Sequence, residues 1–225
     1  MLDTDVLSAA RPRVLDIDTP LGVVRFAVRV DGWDVPARPE LTWALDSGAW
    51  LCRWRHRSVR LDVLSGPSAP HLPDGYPVVT RQATIFRVLA REPLSEFAVQ
   101  AELIGGPAEV SPAEAAFTAE SADAVVTVGG PDVDVLRVCS RAGQHVPPYW
   151  SGKLADDAVE QEGARLTWLL PAVDRGDYAE LWVSAAWSEP SEHPGTRRAV
   201  DVDPARVLRE LSHPERGIRQ GGEGT

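Results

Sequence analysis

The sequence predicts an all-β protein: an antiparallel β-sandwich of jelly-roll, Ig-like or supersandwich type with one or two short helices. Three observations predict it. Apolar and polar residues alternate with period two along many short segments, as strands buried on one face require. Clusters of Gly, Pro, Asp and Ser punctuate those segments at short intervals and delimit about ten to twelve strands. Sustained helical periodicity is scarce.

Residues 1–12 read as a loose leader. A short strand follows at Val14–Asp18, and Pro20-Leu21-Gly22 turns the chain. In the next strand Val24, Phe26, Val28 and Val30 share one face and Arg25, Ala27 and Arg29 the other, and Asp31-Gly32 is a hairpin signal. Leu41–Leu45 and Trp50–Arg55 form a hairpin across Asp46-Ser47-Gly48. From Val59 the apolar phase switches, which requires a bulge or turn near His56–Ser58. Residues 65–78 are rich in Pro and Gly and read as an extended loop.

Thr80–Ala90 and Glu96–Leu103 are two further strands. Ser111-Pro112-Ala113-Glu114 has the form of a capping box, so a short helix to Ala119 competes with a strand there. Ala124–Val128 and Val133–Cys139 read as a hairpin across Gly129-Gly130-Pro131-Asp132. Residues 140–164 break the pattern. Arg165–Trp187 reads as the clearest core hairpin, its arms joined at Asp174-Arg175-Gly176-Asp177. One arm aligns Leu166, Trp168 and Leu170, and the other Ala179, Leu181, Val183 and Ala185. A short strand at Ala199–Val202, a helix from Asp203 to Leu211 and a disordered tail over 213–225 complete the chain. Residues 13–212 are expected to form a single sandwich domain, with 105–122 the place where it would subdivide.

Composition narrows the function. Two cysteines, Cys52 and Cys139, do not make a disulfide framework and read as small apolar residues. Asn is absent and Lys153 is the single lysine, a bias that implies a GC-rich bacterial genome and makes arginine the default cation. A net charge of −10 opposes binding to a polyphosphate backbone, so no nucleic-acid partner is expected. No apolar run is long enough for a transmembrane helix and the first residues lack a signal-peptide pattern, so the expected location is the cytoplasm, with no membrane partner.

Motifs for nucleotide binding, nucleophile elbows and zinc proteases are missing, and the five histidines, 56, 71, 145, 193 and 213, are scattered; no metal and no cofactor is expected. Three candidate constellations remain. The polar insertion 140–164 holds His145, a candidate base, and Tyr149, a candidate acid, next to Trp150 and Lys153; if desolvated, the lysine could form a Schiff base. The bland alternative is rim packing by 146–150 and a solvated helical turn over 153–161. Arg53, Arg55 and Arg57 alternate along a strand and could clamp an anion or carboxylate, or simply pair with acidic neighbours across the sheet. Eight tryptophans are core residues or pocket walls; Trp33 and Trp150, in predicted turns, are the candidate ligand contacts.

The block from Leu166 to Trp187 resembles a terminal hairpin of bacterial Ig-like or carbohydrate-active β-sandwich modules. The resemblance implies fold only, and no activity or residue role. Three functions fit the sequence: a non-catalytic module binding a protein partner or forming a homo-oligomer, a small biosynthetic enzyme (cyclase, isomerase or sugar-modifying) whose pocket is closed by 140–164, and a carrier of a small apolar or sugar-like ligand.

Overall fold

Alternating strands that bury one face each must find a second sheet, and here they do. The computed structural model describes residues 13–70, 72, 79–107, 109–191, 195–201 and 203–212; the leader at 1–12 and the tail at 213–225 lie outside the described residues. The first sheet contains β1 (Asp16–Thr19), β2 (Gly22–Val30), β8 (Phe97–Ile104), β13 (Arg165–Leu170) and β12 (Val159–Glu162) in that order, with the short β3 (Trp33–Asp34) also paired to β2. The second runs β4 (Leu41–Ala44), β5 (Trp50–His56), β6 (Val59–Pro67), β7 (Thr80–Ala90), β14 (Tyr178–Ser188), β11 (Val125–Gly129), β10 (Ala116–Glu120), β9 (Val110–Ala113). Every pairing is antiparallel. Among the described residues three short α-helices are added: α1 (Val133–Ala142), α2 (Thr196–Val200) and α3 (Pro204–Ser212). The protein is thus an all-β antiparallel sandwich.

The core lies between the sheets. Val24, Phe26, Val28, Phe97, Val99, Leu166 and Trp168 from one meet Trp54, Leu61, Val63, Phe86, Val88, Leu181 and Val183 from the other. Three buried indoles also fasten loops to this core, each donating its N–H to a carbonyl: Trp54 to Pro36 at 2.8 Å, Trp150 to Ala172 at 2.8 Å and Trp168 to Pro131 at 2.9 Å. An indole buried this way keeps both its apolar contacts and its hydrogen bond.

The local hairpins form as their turns dictate, including β4–β5 and β5–β6; the phase switch is a tight turn at Arg57-Ser58, where His56 pairs with Val59 and Arg57 has φ +37°. The expected hairpin at 165–187 does not form. β13 pairs with β8 and β12 in the first sheet, whereas β14 pairs with β7 and β11 in the second. Its turn residues are real, with Asp177 N–H donating to Asp174 O at 3.0 Å, but 171–177 is an arch between sheets. Leu166, Trp168 and Leu170 therefore face Leu181 and Val183 across the core.

Four other segments differ from expectation. Val133–Cys139 lies in α1 rather than a strand: Asp132 caps it by accepting from Val135 N–H at 2.7 Å, and Gly143 ends it with φ +62°. Residues 111–119 form no helix but the β9–β10 hairpin, turned at Ala115 with φ +48°, which lets Phe117 enter the core and β10 pair with β11. Ala199 and Val200, expected in a strand, belong to α2. The insertion 140–164 contains a 3₁₀ turn at Pro148–Gly152 and the strand β12 in place of a helical turn over 153–161.

Candidate functional site

The outer face of the second sheet shows how register sorts side chains into rows. Leu51, Leu64, Ile85 and Trp182 lie opposite one another across β5, β6, β7 and β14. Val207 and Leu211 of α3 cover this apolar row. The next row is ionic with alternating sign: Arg53, Asp62, Arg87, Glu180. Arg53 holds Asp62 in two bonds, Nε to Oδ1 at 2.6 Å and Nη2 to Oδ2 at 3.0 Å, and Arg87 bonds Glu180. The third row is Arg55, Arg60, Leu89, Tyr178, so two guanidinium groups stand directly opposite each other.

Beside these rows lies the edge strand β4, with Leu41 opposite Arg53 and Trp43 opposite Leu51. Both side chains are large, apolar and open to solvent, Leu41 at 40% and Trp43 at 39%. The Arg53 guanidinium sits 5.3 Å from the Trp43 ring centroid. Among the described residues no strand pairs with the far side of β4. Edge, apolar side chains and arginines therefore form one continuous surface.

The residues expected to form an enzyme site divide between two places. His145 follows the C-cap of α1 with φ +64°. Its Nδ1 lies 2.7 Å from Glu180 Oε2, its carbonyl accepts from Glu180 N–H at 2.7 Å, and its ring meets Trp182 edge-on at 5.7 Å. The Glu180 side chain is only 4% exposed. Burial pushes its carboxyl up, but the hydrogen bond from His145 and the charge and hydrogen bond of Arg87 outweigh burial and hold it below the usual range. Tyr149 sits on the 3₁₀ turn, and its hydroxyl accepts from Asp174 N–H at 2.7 Å in the arch; burial, with Asp174 and Asp177 nearby, raises its pKa. Lys153 is exposed and rests over the Tyr149 ring at 4.6 Å, outside the desolvated setting a Schiff-base lysine needs. Among the described residues no hydrogen bond joins His145 to Tyr149.

Of the other expected contacts, Trp150 is fully enclosed in the core, whereas Trp33 stacks on His56 with centroids 4.7 Å apart. Arg53 and Arg55 share a face as expected, but Arg57 lies in the turn beyond them. Sequence reasoning missed Glu180, Arg87, Arg60, Leu41 and Trp43. Glu180 carried a signal, being the lone carboxylate of the apolar segment 178–188.

Two of the open cavities beside the sheets stand out by size. An apolar cleft of roughly 1220 Å³ separates β2 from β4 and β5, with Leu15, Phe26, Val28 and Trp50 in its wall. A polar groove of roughly 830 Å³ runs between β10, α1 and α2, with Thr118, Glu120, Asp132 and Thr196 along it. Among the described residues no cluster of His, Cys, Asp and Glu is arranged to hold a metal ion, and no helix is long and apolar enough to cross a membrane.

No family model matches the chain, and no curated protein matches it in sequence. Among solved structures it is similar to a putative kojibiose phosphorylase from the human microbiome, with a TM-score of 0.49 and 5% identity. That likeness covers 84% of this chain, which spans 26% of the phosphorylase.

Proposed function

We propose that residues 13–212 act as one non-catalytic binding module, which associates with a protein partner or a second copy through β4 and the adjoining outer face of β5 and β6. The observation that carries this reading is the edge strand β4, which combines exposed Leu41 and Trp43 with a backbone edge that no strand pairs among the described residues. Unprotected edges with large apolar side chains invite pairing by another chain, and natural proteins usually blunt them with charge, proline or a covering element. Trp and Arg are also the residues that most often dominate interface energetics.

The acid–base reading has the His145–Glu180 pair in its favour. The same pair, with the Glu180 N–H to His145 O bond, fastens the loop after α1 onto β14, and fastening alone accounts for a buried carboxylate and a strained His145 backbone. The binding reading expects His145→Ala to lower stability and leave association unchanged.

Native mass spectrometry on protein purified from its own host tests the proposal. A dimer, or a complex with a second polypeptide, that is lost with Leu41→Ser and Trp43→Ser supports it. A bare monomer, or a complex indifferent to both substitutions, refutes it.

A further inference from the structure

We infer that the partner at this surface presents carboxylates: an acidic, extended segment of a protein, held by Arg55, Arg57 and Arg60 beside the apolar contacts of Leu41 and Trp43. The inference rests on the association reading above and adds the chemistry of what associates.

Placement, and not arginine count, is what points to it. The chain has 33 acidic residues, yet register sets Arg55 opposite Arg60 and opposite none of them. Like charges directly opposite each other in a sheet are destabilising. The nearest carboxylate in the rows, Asp62, is already held in two bonds by Arg53. Arg60 shares that carboxylate, its Nε ion-paired with Asp62 Oδ2 at 3.3 Å but without a hydrogen bond. Arg57 projects from the turn at the end of the same hairpin, and Arg91 starts beside it, its N–H bonded to Ser58 O at 2.6 Å. Arg55, Arg57 and Arg91 form no ion pair among the described residues. Exposed Arg55, Arg57 and Arg91, without ion pairs of their own and beside the half-buried Arg60, form a patch complementary to an external anion on a chain of net charge −10.

A carboxylate suits it better than a phosphate backbone. The planar guanidinium fork takes a carboxylate in two bonds. Polyphosphate affinity grows with the number of phosphates neutralised, and here Asp62 interrupts the patch while Glu40 borders it, its Oε1 accepting the Arg55 N–H. The neighbouring Trp43 and Leu41 provide apolar contacts that a protein segment can fill.

Fluorescence anisotropy with two labelled peptides, one alternating Val with Glu and one alternating Val with Lys, tests the inference, with a labelled oligothymidylate as third probe. The Val–Glu peptide should bind selectively and lose affinity as salt rises. Arg55→Glu and Arg60→Glu should each weaken it about tenfold or more, with near-ultraviolet circular dichroism showing an intact fold. Three results would overturn the inference: binding of neither peptide, preferential binding of oligothymidylate, or Val–Glu binding unmoved by both charge reversals. If the reversals leave Val–Glu binding intact while Trp43→Ala removes it, the association surface stands and only the acidic partner falls.

Discussion

Arg81 offers the most direct probe of what holds the helical layer on the second sheet. Its side chain is 1% exposed and lies on β7, where it donates from Nε to Ser68 Oγ at 2.7 Å, from Nη1 to Ala199 O at 3.0 Å, and from Nη2 to Ala69 O and Glu210 Oε2, each at 3.0 Å. One guanidinium thus ties β7 to the loop after β6, to α2 and to α3. Burial lowers its pKa, and the neighbouring Glu210 charge offsets part of that effect. Arg81→Met keeps the apolar stem and strips every donor. Breaking a buried ion pair by removing one partner costs about 3–5 kcal/mol, because the abandoned charge stays desolvated. The low end applies here, since Glu210 keeps Arg206 at 2.8 Å and its side chain is 14% exposed. Urea unfolding should therefore show Arg81→Met less stable by about 3 kcal/mol, with Arg81→Lys recovering only part, because a point charge cannot satisfy a fork. Glu210→Gln should cost less than Arg81→Met, as it leaves the three uncharged acceptors in place. A loss under about 1 kcal/mol for Arg81→Met would refute the view that this residue pins the layer.

Other expectations follow from single contacts. Glu180 has a folded pKa below its ordinary value of 4.5, so its contribution is present above that value and is lost as pH falls through the folded one. Glu180→Gln should consequently lower stability at neutral pH and flatten the acid limb of a stability–pH curve below about pH 4.5; parallel curves for the two proteins would contradict this. At Gly130 an added Cβ would stand 2.7 Å from Trp168 Cζ2 and 2.8 Å from Trp182 O, both fixed in the core. Gly130→Ala should cost about 1–3 kcal/mol in the same unfolding assay, and a neutral result would mean that the Trp168 pocket yields.

The sequence showed which face of each strand is buried more clearly than which strand lies beside it. Alternation in Arg165–Leu170 and Tyr178–Ser188 is the same whether the two arms pair with each other or face each other across the core, so in sequence the arch at 171–177 looks the same as a hairpin turn. Val133–Cys139 misled for a related reason: a short apolar run after Gly-Pro fits either element, and its helical character depends on the Asp132 cap and the Gly143 end, which must be read together. The site divides the same way. That Arg53 and Arg55 share a face followed from period two alone. That Arg60 opposes Arg55 while Asp62 opposes Arg53 depends on the turn at Arg57-Ser58, where the expected phase switch left the register open. Nothing local in the sequence could place Glu180 against His145, 35 residues away.

Amide hydrogen exchange across β4 tests the association surface most directly. It would compare the protein alone with the complex recovered from its own host. The proposed pairing predicts that the backbone amides of 41–44 exchange more slowly in the complex, since a second chain would occupy the open side of that strand. Unchanged exchange at 41–44 in an intact complex, with protection appearing on another face, would contradict it.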